Sequence, residues 1–189
     1  MATQSRTTGL TYADLEKFPE DNFRRELIDG ELIVTAAPNT RHQRAVTELV
    51  LELGLYAREH GGEVLPAPYD VYFSDSNVVE PDVLFVTAEH IERLEDRYIR
   101  AAPDIVVEVS SPSTRRLELS RKKDLYERFG VPEYWYVDLD AERIEIYRLT
   151  GGRYGLPELT GRGDRLESHQ LLGLALPVDQ VLGPAVSQR

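Results

Sequence analysis

The chain has 189 residues, of which 41% are hydrophobic and 29% charged, enough for one domain with a real core. The net charge of -11 excludes a protein that coats nucleic acid through general positive charge, because phosphate affinity comes from Lys and Arg. The absence of cysteine excludes disulfides and thiolate metal sites, and no apolar run approaches the roughly 20 residues of a membrane helix.

Residues 1–9 read as a polar tail without the apolar segment of a signal peptide, so a cytoplasmic location is expected. Residues 10–183 read as one domain, and 184–189 as a second tail. Thr11 caps a short helix over 11–18 that Pro19 stops. Residues 26–34 predict a β-hairpin around Asp29-Gly30, a favoured type I′ pair. From Thr40 to His60, Val46, Leu49, Val50, Leu53, Tyr56 and Ala57 recur at helical spacing, and Gly61-Gly62 ends the helix. His42 falls four residues before Val46, within the buried stripe.

Residues 63–65 predict a short strand. Residues 69–73 and 78–86 predict an antiparallel pair around Ser74-Asp75-Ser76-Asn77, and 89–97 a polar helix or loop. Residues 104–110 carry apolar side chains on both faces, the pattern of a central strand. Ser111-Pro112-Ser113 turns the chain into a helix over 115–129, with an apolar stripe of Leu119, Leu125, Tyr126 and Phe129. Lys122 lies inside that stripe. Residues 133–137 and 142–149 form another hairpin, whose Tyr134, Trp135 and Tyr136 suit a core strand. A strand near 165–168 and a turn over 177–182 complete the chain. This order predicts an α/β (α+β) fold with a mixed central β-sheet flanked by helices.

Against that scaffold, three ionisable residues stand where core is expected. Asp82 begins a strand, Glu108 interrupts the apolar run Ile105-Val106-Val107, and Lys122 points inward from its helix. Each has an ordinary reading: a turn residue, a structural ion pair and a snorkelling amine. Together they are a different matter. Burying charges is costly unless they are paired or bind metal. Two carboxylates on adjacent strands can hold Mg²⁺ or Mn²⁺ through hard oxygens, and a neighbouring ammonium can offset charge on a phosphate.

The combination Pro81-Asp82 and Glu108-Val109-Ser110 resembles the signature of the PD-(D/E)XK nuclease superfamily, with Ser110 where a lysine is expected. One bacterial branch, the restriction-endonuclease-like family, is similar over about residues 10–180. Its pattern matches residues 26–31, His42, Pro81-Asp82, residues 106–113, residues 122–126 and residues 130–138. The resemblance implies a restriction-endonuclease-like fold and a Mg²⁺- or Mn²⁺-dependent endonuclease acting on DNA, paired as a homodimer. It implies that Asp82, Glu108 and the carbonyl of Val109 bind the metal, and that Lys122 replaces the missing lysine. Glu26 becomes an additional carboxylate, with a surface strand residue as its ordinary reading. His42 becomes a proton carrier or phosphate contact, or else a hydrogen-bonded core histidine. Arg115, Arg116, Arg121, Lys123 and Arg128 supply local positive charge or form a solvated helix face. Two other readings stand beside the nuclease: a non-catalytic binding or assembly protein that retains the fold, and a phosphoesterase acting on something other than nucleic acid.

Overall fold

The run expected as one strand over 78–86 is two strands in two different sheets. The computed structural model describes residues 8–185 apart from 20, 22, 36, 37 and 111–114, so most of both expected tails and the turn at Ser111-Pro112-Ser113 lie outside the described residues. β5 (Asn77–Val79) ends where Glu80-Pro81-Asp82 crosses over, and β6 (Val83–Val86) begins in the neighbouring sheet. Proline removes a ladder donor, which is why Pro81 ends pairing there.

The smaller sheet has five strands, in the order β2 (Glu31–Thr35), β1 (Arg24–Ile28), β5, β4 (Asp70–Ser74) and β7 (Tyr98–Ile99). The predicted Asp29-Gly30 turn joins β1 to β2, with φ of 53° and 71°, the left-handed values a type I′ turn needs. The larger sheet has seven. Its path runs β11 (Arg153–Tyr154), β10 (Arg143–Thr150), β9 (Glu133–Asp138), β8 (Ile105–Val109), β6 and β3 (Glu63–Pro66), and β12 (Glu158–Gly161) also pairs with β10. Only the β8–β9 pair in it is parallel, so the sheet is mixed. A ribbon of β13 (Arg165–Glu167) and β14 (Ala175–Pro177) closes the C-terminal end.

Helix α2 (Thr40–His60) keeps its predicted bounds and starts on an Asn39 side chain that accepts the N–H of His42. Its Leu49 and Leu53 pack on the larger-sheet face built by Val83, Phe85, Val107, Val109 and Trp135. The opposite face, with Leu84, Val106, Tyr134 and Tyr136, packs on Leu125 and Tyr126 and on Ile28, Val71 and Val79 of the smaller sheet. β8 is thus covered on both sides, as its composition predicts. Glu108, alternating with Val107 and Val109, shares the Val106 face and points toward the helix over 115–128.

That helix is not uniform. Between α3 (Arg115–Leu117) and α4 (Lys123–Arg128), residues Glu118–Lys122 take one π-helical turn, in which the N–H of Lys123 reaches the carbonyl of Glu118. The wider turn inserts one residue and re-aims the side chains of α4. The N-terminal helix is shorter than predicted, α1 (Tyr12–Leu15), and its Asp14 carboxylate accepts from the N–H and hydroxyl of Thr11. The expected turn at the C-terminus is helix α5 (Val178–Leu182). Among the described residues no helix is long and apolar enough to cross a membrane.

Gly62 shows how closely α2 meets the larger sheet. Its φ is +96°, and a Cβ there would lie 2.6 Å from the carbonyl oxygen of Val86. Gly62→Ala is expected to cost about 1–3 kcal/mol in backbone strain alone. Gly155→Ala, where a Cβ meets nothing within 4 Å, should leave the urea denaturation midpoint unchanged.

Candidate active site

The three ionisable residues meet where the chain crosses between sheets. The β6–β8 register pairs Val83 with Val107, and one residue further Asp82 stands opposite Glu108. Glu26 comes from β1, where strand alternation puts Arg24, Glu26 and Ile28 on one side. Lys122 comes from the end of the π-helical turn and His42 from the first turn of α2.

Lys122 Nζ lies 2.7 Å from Glu26 Oε1 and donates to Glu108 Oε1 at 2.8 Å. The Tyr126 hydroxyl donates to the same Glu108 oxygen at 2.6 Å, and the Glu80 N–H donates to Glu26 Oε1 at 2.8 Å. Asp82 Oδ2 accepts the Val109 N–H at 2.7 Å and lies 3.0 Å from His42 Nε2. An ionised carboxylate only accepts, so Nε2 carries the proton of that bond. Arg24 Nη1 approaches Asp82 Oδ1 to 2.9 Å, and Arg24 Nε approaches Glu80 Oε1 to 2.9 Å.

All five predicted side chains therefore lie in one cluster, and none is more than 6% exposed. The predicted role of Val109 was a carbonyl ligand; the contact it makes here is through its N–H. Arg24, Glu80 and Tyr126 belong to the cluster and were not singled out from the sequence. The signals available were weak: Arg24 lies two residues before Glu26 on the same strand, and Glu80 directly precedes the breaker Pro81. Tyr126 was read only as part of an apolar stripe.

The electrostatics follow from the count of charges. Four carboxylates, Glu26, Glu80, Asp82 and Glu108, share the two permanent cations Arg24 and Lys122. Burial pushes Glu108 up, Lys122 draws it back, and the repulsion of Asp82 and Glu26 leaves it well above the usual carboxylate range. Burial likewise lifts Glu80 to about 7, with Arg24 opposing and Glu26 and Asp70 reinforcing. Asp82 goes the other way. Its burial is outweighed by the His42 hydrogen bond, the Arg24 charge and the Val109 N–H, which hold it low. Burial works against the Lys122 ammonium, but Glu108 and Glu26 keep it charged.

Of the predicted basic face, the Arg116 side chain lies outside the described residues, and the described side chains are mostly paired. Arg121 meets Glu31 at 3.0 Å, Arg128 meets Asp29 at 2.9 Å and Arg115 meets Asp138 at 2.5 Å. Lys123 Nζ lies 5.2 Å from the centre of the Tyr147 ring.

The donor set fits a hard divalent cation. Oε2 of Glu26 and Oε2 of Glu108 are buried and accept no hydrogen bond among the described residues. No group of three or more His, Asp or Glu side chains among those residues is arranged to hold an ion by itself. Mg²⁺ requires less, being commonly held by one or two carboxylates with water and substrate phosphate completing its shell.

Comparison with known proteins places the fold and the family. The family model Uma2, described as "Putative restriction endonuclease", matches residues 11–179. A crystal structure from Anabaena variabilis, described as a putative nuclease belonging to DUF820, superposes with a TM-score of 0.77 at 19% identity. The match covers 92% of this chain and 97% of that one. At that identity the likeness establishes the fold. No curated protein matches the chain.

Lys122→Met would leave Glu26 and Glu108 buried without their cation, and a loss of about 3–5 kcal/mol is expected by urea denaturation in the presence of EDTA. Adding Glu26→Gln and Glu108→Gln to that variant should restore much of the loss, because the uncompensated charges are then gone.

Proposed function

The chain belongs to the Uma2 restriction-endonuclease family, and from that membership we propose that it is a divalent-metal-dependent endonuclease hydrolysing phosphodiester bonds, with DNA as its substrate. The observation that carries the reading is the meeting of Asp82, Glu108 and Lys122 in one buried cluster that still has open carboxylate oxygens.

In this reading Asp82, Glu108 and the Val109 carbonyl would hold Mg²⁺ or Mn²⁺. When bound, the cation supplies an activated water and neutralises charge on the phosphoryl oxygens. The residues of the chain do the rest. Lys122 offsets negative charge as the phosphorus becomes five-coordinate. Glu26 keeps that ammonium in place through its 2.7 Å contact. His42, with Nδ1 free of any partner among the described residues, accepts and passes a proton at that nitrogen. Nucleases of the superfamily this chain resembles often pair to cut both strands of a duplex, so the working form proposed by analogy is a homodimer acting in the cytoplasm.

One observation favours a second reading. The cluster is closed, with Glu26, Asp82, Glu108 and Lys122 each at most 2% exposed, which also suits a purely structural charge network in a non-catalytic binding protein.

Plasmid cleavage separates the two. With Mg²⁺ or Mn²⁺ the protein should nick or linearise supercoiled DNA, and chelation should stop it. Asp82→Asn and Lys122→Gln, each verified as folded by circular dichroism, should lower the rate at least about 100-fold. Metal binding without cleavage of any nucleic acid would point to another phosphoester substrate. A protein that binds neither metal nor nucleic acid would be the non-catalytic one.

A further inference from the structure

Arg24 sits inside the acid cluster and takes no part in the proposed hydrolysis. Its guanidinium touches two of the four carboxylates, 2.9 Å from Asp82 Oδ1 and 2.9 Å from Glu80 Oε1. The oxygens of Asp82 decide what this means. Oδ2 is committed to His42 Nε2 and to the Val109 N–H. Oδ1 accepts no aligned hydrogen bond, and its near partner is Arg24. Asp82 therefore has no oxygen to offer a cation until Arg24 withdraws.

Glu108 differs. Lys122 and Tyr126 both use Oε1, which leaves Oε2 open while Lys122 stays where it is. Lys122 and a metal can share Glu108, whereas Arg24 and a metal cannot share Asp82 Oδ1. Two positive groups on one buried oxygen repel strongly, because little solvent screens them.

Exposure adds a direction. The Arg24 and Glu80 side chains are 20% and 18% exposed, whereas those of Asp82, Glu26, Glu108 and Lys122 reach at most 3%. Arg24 and Glu80 are thus the most exposed charged side chains of the cluster.

We propose that Arg24 is a built-in competitor for the divalent cation, seated on Asp82 Oδ1 at the mouth of the cluster and displaced when metal binds. The inference rests on the metal-dependent reading, and it deepens that reading by naming the group that sets metal affinity. Arg24 neutralises Asp82 when no metal is bound. The same contact lowers the population able to bind metal, so apparent affinity falls by the fraction of molecules in which Arg24 has let go.

Calorimetric titration of the full chain with Mn²⁺ tests this. Arg24→Gln is expected to bind Mn²⁺ at least about tenfold more tightly than the wild type. The gain should vanish in the Arg24→Gln, Asp82→Asn double variant. Equal or weaker binding by Arg24→Gln, with wild-type binding abolished by Asp82→Asn, would overturn the competition and leave the metal site standing. Absence of Mn²⁺ binding in all the variants would overturn both. If Arg24→Gln does not fold, Arg24→Lys keeps a positive charge but loses the fork that spans Asp82 and Glu80. It should bind Mn²⁺ several-fold more tightly than the wild type, and unchanged affinity would again overturn the proposal.

Discussion

One ammonium ties three elements of this protein together. Lys122 reaches from its helix to Glu26 on β1 and Glu108 on β8, joining the smaller sheet, the larger sheet and the helix between them at a single nitrogen. The contact is 3% exposed or less on every side, so water does little to weaken it. The geometry around it is demanding for the same reason. A misplaced carboxylate here could not turn to solvent for relief. The Tyr126 hydroxyl and the Glu80 N–H supply the additional hydrogen bonds that a buried pair needs.

The cluster also explains the crossing between sheets. A continuous strand over 78–86 would keep residues 80 to 82 inside one ladder, with their side chains alternating between two packed faces. Breaking at Pro81 frees Glu80 to turn toward Arg24, and puts Asp82 at the start of β6, within reach of both the Val109 N–H and His42 from the far side of the sheet. Asp82 thereby links the α2 face to the face that carries Glu108. The fold places its least comfortable groups at the seam where two sheets and two helices meet, and each element contributes a partner.

The parts of this arrangement legible in the sequence were those written in periodicity. Glu108 interrupts a run of branched residues, and Lys122 occupies a stripe position on a helix; both patterns are local and both side chains are buried. The two-sheet division was not legible, because Val78-Val79 and Val83–Val86 are both apolar runs and partner choice is a long-range matter. The π-helical turn had no residue signature at all. Arg24 and Glu80 look like ordinary charges at a strand end and a turn, and only the closure of one sheet on the other brings them to Asp82. Tyr126 behaved as predicted in burying its ring; what was missed was the hydroxyl, which the apolar pattern does not weigh.

Four carboxylates around two cations would leave two negative charges uncompensated if all were ionised, and burial together with this crowding raises Glu108 and Glu80 above the ordinary carboxylate range. A sequence under selection for stability alone could remove the imbalance with two Glu→Gln changes or with apolar replacements, and buried ion pairs are often improved by such changes. Keeping the excess instead costs stability wherever those acids are ionised. Sites that violate the rules obeyed elsewhere in a fold are where function is expected to reside. One of the open oxygens, Oε2 of Glu108, lies on a carboxylate that this crowding raises. Charge crowding and an open acceptor thus coincide at Glu108, the carboxylate that also anchors Lys122.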